Sequence, residues 1–130
     1  MNIHESAEDY LETILVLHKR LGQVRSIDIV NEMEFSKPSV SVAMKKLREN
    51  GYIEMDGNLY ITLTDAGREI AERIYARHRL LKKVLTAIGV DEKTAAKEAC
   101  EIEHHISEET YNCINNYYNA RMGQDSQESE

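Results

Sequence analysis

The chain is short of helix breakers, with one proline and six glycines in 130 residues. That leaves long stretches free to be helical and predicts a mainly α protein. Cysteine is scarce as well. Cys100 and Cys113 are too few for a disulfide framework, so both are expected as thiols. No apolar run approaches the roughly 18–20 residues of a membrane span. Met1 to Ser6 lack the basic-then-apolar order of a secretory signal. A reduced, cytoplasmic protein without a membrane partner is therefore expected. Positive charge is the last shortage. Sixteen Lys and Arg face 23 Asp and Glu, for a net charge of −7. Affinity for nucleic acid rests largely on cations neutralising phosphates, so the chain as a whole is a poor candidate for DNA.

The shortage is uneven. Between Arg25 and Arg48 lie five basic residues (Arg25, Lys37, Lys45, Lys46, Arg48) and only three acidic ones. Acidic residues gather instead in the first helix, around residue 100 and in the tail. Such a chain is suited to conditional DNA binding, once a divalent cation neutralises or repositions the acidic parts. Its length allows one or two small domains, and 42% hydrophobic with 30% charged residues fits a globular protein.

Along the chain, Ala7, Leu11, Ile14, Leu15, His18 and Leu21 recur near a 3.6-residue period and predict a helix over about 5–21, stopped by Gly22. Ser26 is expected to cap a short second helix. Pro38 sits where the first turn of a third helix tolerates it and is expected to hold Lys37 outside. Val40, Ala43, Met44 and Leu47 form the apolar stripe of that helix, which ends at Asn50-Gly51. Its other face carries Ser39, Ser41, Val42, Lys45 and Lys46. Two short helices joined by a turn after a longer one have the layout of a helix-turn-helix. Tyr52 to Leu63 reads as two strands around Asp56-Gly57-Asn58, a hairpin in the place of a wing.

Thr62 to Asp65 has capping-box spacing and opens a helix that runs to about Ile88. Gly89 closes it. Asp91 caps the next helix, expected from Glu92 to His105, and Ser107 caps the last, with Ile114, Tyr117 and Tyr118 inward. These last helices carry too little apolar material to close a core alone and predict a dimerisation module. The domains are therefore expected at 1–64 (winged helix-turn-helix), 65–121 (helical, metal-binding and dimerising) and 122–130 (a disordered acidic tail).

The chemistry concentrates in Cys100-Glu101-Ile102-Glu103-His104-His105. On a helix, Cys100, Glu103 and His104 share one face at i, i+3 and i+4. Thiol, carboxylate and imidazole all bind divalent transition ions. One helix rarely completes a shell, and His78 and the Asp9/Glu12 pair are the candidates to add ligands. The same residue types also line solvated helix faces, so the cluster alone leaves a winged-helix regulator without metal gating open. A metallohydrolase is a further alternative. Against it, no His-Glu-x-x-His or paired catalytic motif is present.

Taken in order, these features resemble the DtxR/MntR family of metal-dependent transcriptional repressors. The resemblance rests on a first helix with two carboxylates, the winged helix, Arg77-His78-Arg79-Leu80-Leu81, Ile88-Gly89-Val90-Asp91 and Ile102-Glu103-His104-His105-Ile106-Ser107. It covers about residues 5–121. It implies a non-enzymatic, homodimeric repressor that senses Mn²⁺ or Fe²⁺, binds a double-stranded operator built as an inverted repeat, and controls metal-homeostasis genes such as uptake transporters.

The resemblance implies metal ligands at Asp9, Glu12, His78, Cys100, Glu103 and His104. It places Pro38, Ser39, Ser41 and Val42 near bases, and Ser36, Lys37, Lys45, Lys46 and Arg25 at phosphates. The manganese branch has a bridging carboxylate where this chain has Cys100. The iron branch has a Cys there but a Met where this chain has Asp9, so the site is a hybrid. Lys82 stands where the iron branch places a partner of His78 in an ancillary site, which argues against such a site here. With no third domain in the 130 residues, the resemblance is to the short, two-domain manganese type. A thiolate shifts preference from Mn²⁺ toward Fe²⁺, and toward Co²⁺ or Zn²⁺ in vitro. The expected mechanism is coupled binding, in which the ion ties the first helix to the dimer module and sets the spacing of two winged helices.

Overall fold

A computed structural model describes residues 5–128, with side chains as far as Met122. The elements in order are α1 (Glu5–Leu21), α2 (Ser26–Met33), α3 (Lys37–Glu49), β1 (Ile53–Met55), β2 (Ile61–Leu63), α4 (Asp65–Ala87), α5 (Glu92–Ile102) and α6 (Glu108–Glu128). This is the mainly α winged helix-turn-helix followed by a helical domain that the sequence predicts. The chain divides into two compact units after Tyr75, inside α4, whereas the sequence places the division at 64. The start of α4 supplies Ala71, with Ile70 and Tyr75, to the core of the first unit, which draws the boundary into the helix.

In the N-terminal unit, α1 buries Leu11, Ile14, Leu15 and Leu17 against residues that include Ile29 of α2 and Val40, Met44 and Leu47 of α3. His18 and Leu21, expected on the apolar stripe, are exposed. The buried face turns instead through Leu17, three residues after Ile14. The α2 N-cap is Arg25 rather than Ser26. Its N–H donates to the Asp28 carboxylate at 2.9 Å, so the helix starts one residue early.

At α3 the Ser36 side chain caps the helix, accepting from the Ser39 N–H at 3.2 Å. Lys37 is therefore the first helical residue and Pro38 the second, and the cap outweighs the usual resistance of a residue preceding proline. Between α2 and α3, Glu34 turns the chain with φ of 58°. Its N–H closes α2 on the Val30 carbonyl at 3.0 Å.

The wing is a two-stranded antiparallel hairpin with Ile53 opposite Leu63 and Met55 opposite Ile61. Ile53 and Ile61 are buried while Glu54 and Thr62 face out, the alternation a half-buried strand requires. The Ile61 N–H donates to the Val24 carbonyl at 2.7 Å, so the loop after α1 extends the hairpin edge. At the tip the Asp56 carboxylate accepts from the backbone of Asn58 and Tyr60 at 2.8 and 3.0 Å.

Thr64, not Thr62, caps α4. Its Oγ1 accepts from the Gly67 N–H at 3.2 Å and donates to the Gly51 carbonyl at 2.7 Å. Gly67 is required here by a close approach. A Cβ on it would stand 2.0 Å from the Tyr52 carbonyl oxygen.

In the C-terminal unit, Leu80 and Leu81 of α4 and Ala95 and Ala99 of α5 are buried. Asp91 caps α5 through the N–H groups of Lys93 and Thr94. Ser107 caps α6, as the sequence predicts, accepting from Thr110 N–H at 3.1 Å. Ile114 and Tyr118 are half-buried, but Tyr117, expected inward, is 67% exposed. Val84, Ile88, Ile114, Tyr117, Tyr118 and Met122 line an open apolar groove.

The α6 backbone is helical through Glu128, past the start expected for a disordered tail at 122. No proline follows Met122, and a single glycine weakens a helix without ending it. Residues 129 and 130, the end of that expected tail, lie outside the described residues.

Candidate metal centre and nucleic-acid face

The last turn of α5 and the second half of α4 build the centre. His78, Cys100 and Glu103 each offer one ligand atom, and these lie within 4.8 Å of one another. His78 Nδ1 is 3.0 Å from Glu103 Oε2, and His104 Nε2 approaches Glu103 Oε1 at 3.5 Å. Glu103 thus stands between two imidazoles, one at each oxygen. Its side chain has no solvent exposure and that of His104 has 2%. A carboxylate removed from water is costly unless a cation or hydrogen-bond donors compensate it. Borderline nitrogen, oxygen and sulfur donors on one spot are a set that first-row divalent ions accept. The residues present therefore fit a divalent transition ion.

One element departs from the expected helix. The sequence carries α5 to His105, whereas it ends at Ile102, and Glu103, His104 and His105 form a turn. Glu103 keeps helical angles, φ −57° and ψ −25°, so the face shared with Cys100 survives to that residue. The His105 N–H then tightens onto the Ile102 carbonyl at 2.9 Å. Arg77 explains the stop. Its Nη1 donates to the carbonyls of Glu103 and Ile106 at 3.3 and 2.6 Å, and its Nη2 reaches the Glu108 carboxylate at 3.0 Å. The Glu103 carbonyl is at the C-cap of α5, where a cation is favoured, and Ile106 lies just before the Ser107 cap of α6. In the sequence Arg77 stands out only as part of Arg77-His78-Arg79-Leu80-Leu81, at helical spacing from Ile74 and Leu81. A buried arginine among hydrophobic positions was the available signal.

Asp9 and Glu12 stand three residues apart on α1 of the N-terminal unit. Glu12 is buried and Asp9 half-buried. Glu8, beside Asp9, pairs with Arg73 of α4 at 3.2 Å, which fixes this part of α1 within its own unit. Tyr10, on the other side of Asp9, packs its ring edge-on to Phe35 at 5.9 Å, and burial raises its phenol above the usual pKa. Phe35 lies in the turn before α3, so the helix bearing Asp9 and Glu12 touches the turn that leads into α3.

The outer face of α3 carries Ser39, Ser41, Val42, Lys45 and Lys46, with Ser36, Lys37 and Pro38 at its start, and all are exposed. Val42 is 55% exposed, an apolar group where a thymine methyl can be met. Ser36 and Ser39 share a hydroxyl hydrogen bond of 2.8 Å, so both are partly committed to the cap. Arg25 lies over the Tyr60 ring at 4.3 Å, which links the start of α2 to the wing. Among the described residues, no helix is long and apolar enough to cross a membrane.

Two family models match in the order of these units. Residues 2–59 match the iron dependent repressor N-terminal DNA binding domain, and residues 64–122 match the iron dependent repressor metal binding and dimerisation domain. An uncharacterised helix-turn-helix-type transcriptional regulator of Methanocaldococcus jannaschii is 36% identical over 81% of this chain and 86% of its own length. The transcriptional regulator MntR of Escherichia coli O6:H1 is 34% identical over 82% of this chain and 68% of its own. The solved manganese regulator SloR superposes with a TM-score of 0.76 at 27% identity, covering 92% of this chain. The match spans about half of SloR, 55% of its length. These relatives are regulators of transcription, not enzymes. With a DNA-binding domain and a metal-binding, dimerising domain both matched, the chain belongs to the DtxR/MntR family of metal-dependent transcriptional repressors.

Proposed function

We propose that the protein is a homodimeric, cytoplasmic repressor gated by Mn²⁺ or Fe²⁺, which binds an inverted-repeat operator and controls metal-homeostasis genes such as uptake transporters. One observation carries the reading. His78, Cys100 and Glu103 converge within 4.8 Å, and Glu103 is a buried carboxylate flanked by two imidazoles. Names of relatives support the choice of ions, since SloR is a manganese regulator and the matched models are of iron dependent repressors.

When bound, the ion supplies a divalent positive charge among acidic groups. His78, Cys100, Glu103 and His104 would hold it from the C-terminal unit, and Asp9 and Glu12 would add carboxylates from α1. Were they to do so, α1 would be restrained, and the contact of Tyr10 with Phe35 would carry that restraint to the turn before α3. Ser39, Ser41, Val42 and Pro38 then meet bases, while Ser36, Lys37, Lys45, Lys46 and Arg25 meet phosphates. The open groove of the C-terminal unit, with Ile88 73% and Tyr117 67% exposed, suits closure by a second copy.

Sheared genomic DNA, incubated anaerobically with the protein in chelator, Mn²⁺, Fe²⁺ or Zn²⁺, tests this. Fragments retained only with Mn²⁺ or Fe²⁺ are the expected outcome, and they rank the ions and reveal the operator. Equal retention in chelator would leave a winged-helix regulator without metal gating.

A further inference from the structure

Arg77 has 8% of its surface exposed, although a charged side chain is costly to remove from water unless it is paired and hydrogen-bonded. Its guanidinium is held by four groups from one short stretch. These are the Glu103 carbonyl at 3.3 Å, the Ile106 carbonyl at 2.6 Å, the Glu108 carboxylate at 3.0 Å and the Tyr111 ring at 5.8 Å. The stretch is the turn that joins α5 to α6, which carries Glu103 and His104, together with the first turn of α6, which carries Glu108 and Tyr111. Arg77 is also the chain neighbour of His78. One backbone position on α4 therefore sends an imidazole toward the Glu103 carboxylate, while the next grips the Glu103 carbonyl.

We infer that Arg77 is a positioning residue for the metal centre: its fork on the carbonyls of Glu103 and Ile106 sets where the Glu103 and His104 side chains stand relative to His78. The chemistry requires a planar donor with several N–H groups. A single point donor on a flexible stem cannot hold two carbonyls and a carboxylate in fixed directions. Without the fork, the carbonyls freed at the end of α5 are available for a further helical turn. That rotates Glu103 and His104 away from the geometry seen here. Arg77 acts through the backbone and touches no ligand atom of the centre. Glu108, 64% exposed, orients the guanidinium from outside.

This inference rests on the proposed metal centre, and the test separates the two. Full-length wild type, R77K and E108Q are titrated with Co²⁺ and with Mn²⁺ in competition with a chelator. The Co²⁺ visible spectrum is recorded, with circular dichroism and sedimentation as controls. The expected result for R77K is a folded dimer with metal affinity reduced about tenfold, the lower end of what lost supporting contacts cost at metal sites. Its Co²⁺ spectrum should also shift, which a general loss of stability would not produce. E108Q should weaken affinity in the same direction by less. R77K with the wild-type affinity and spectrum would overturn the positioning role. If R77K does not fold, E108Q decides, and unchanged affinity and spectrum in that variant overturn the role. Wild type that binds neither ion would instead sink the proposed centre itself.

Discussion

His78 Nδ1 lies 3.0 Å from Glu103 Oε2, and the carboxylate it meets is wholly removed from solvent. A buried carboxylate of this kind opposes folding more than a neutral isostere would, unless a cation completes its surroundings. The pair therefore favours function over the stability of the metal-free chain.

Glu103→Gln follows from that balance. The amide keeps the shape and removes the charge. The metal-free variant is expected to melt at or above the wild-type temperature. Excess Mn²⁺ or Co²⁺ should no longer raise its melting temperature. In the wild type, ion at about a hundred times its dissociation constant adds about 2.7 kcal/mol. Differential scanning calorimetry with and without metal reads both effects. A variant still stabilised by metal would remove Glu103 from the ligand set.

Cys100 sets the second expectation. It is exposed, and its Sγ is in the cluster with His78 and Glu103. A thiolate draws the centre toward softer ions, and a carboxylate draws it toward Mn²⁺. Cys100→Asp should raise Mn²⁺ affinity relative to Co²⁺ and abolish the sulfur-to-cobalt charge-transfer absorption. Competition titrations and the Co²⁺ spectrum together check this. Absorption unchanged in the variant would show that sulfur is not bound.

Much of this was legible in the chain, and the parts that were not have a common cause. The apolar periods of α1 and α3 and the Asp56-Gly57-Asn58 turn between two strands are local patterns, and they placed the winged helix. The candidate ligands His78, Cys100 and Glu103 were visible as residue types. The structure brings those three together, while the places of Asp9 and Glu12 in a ligand set remain proposals. The end of α5 was not legible, because it depends on Arg77, which lies 26 residues before Glu103. Caps shifted by one or two residues for a similar reason. Ser26 and Thr62 are good capping types, but Asp28 and the Gly51 carbonyl favour Arg25 and Thr64.

Gly67→Ala should cost the N-terminal unit about 3 kcal/mol, the upper end for overpacking. The added Cβ meets backbone, the Tyr52 carbonyl at 2.0 Å, which has no rotamer by which to retreat. That carbonyl also accepts from the Thr64 N–H at 3.1 Å, so moving it disturbs the cap of α4. Urea unfolding of the metal-free proteins measures the loss. A midpoint within error of wild type would show that the α4 start and the Tyr52 backbone separate more easily than the structure implies.

Lys45 and Lys46 bear the last expectation. Both are exposed on α3, on the side away from Val40, Met44 and Leu47. If they meet phosphates, replacing each with Ala should weaken operator and random DNA alike. Each lost phosphate contact should flatten the dependence of log affinity on log salt by about 0.9. Ser41→Ala and Val42→Ala should leave that slope unchanged and alter preference among operator sequences, because contacts to base edges specify while phosphate contacts position. Binding isotherms at several salt concentrations, in saturating Mn²⁺, distinguish the two behaviours. An unchanged slope in a Lys45→Ala, Lys46→Ala double variant would place the phosphate contacts on other residues, with Lys37 and Arg25 next to be tested.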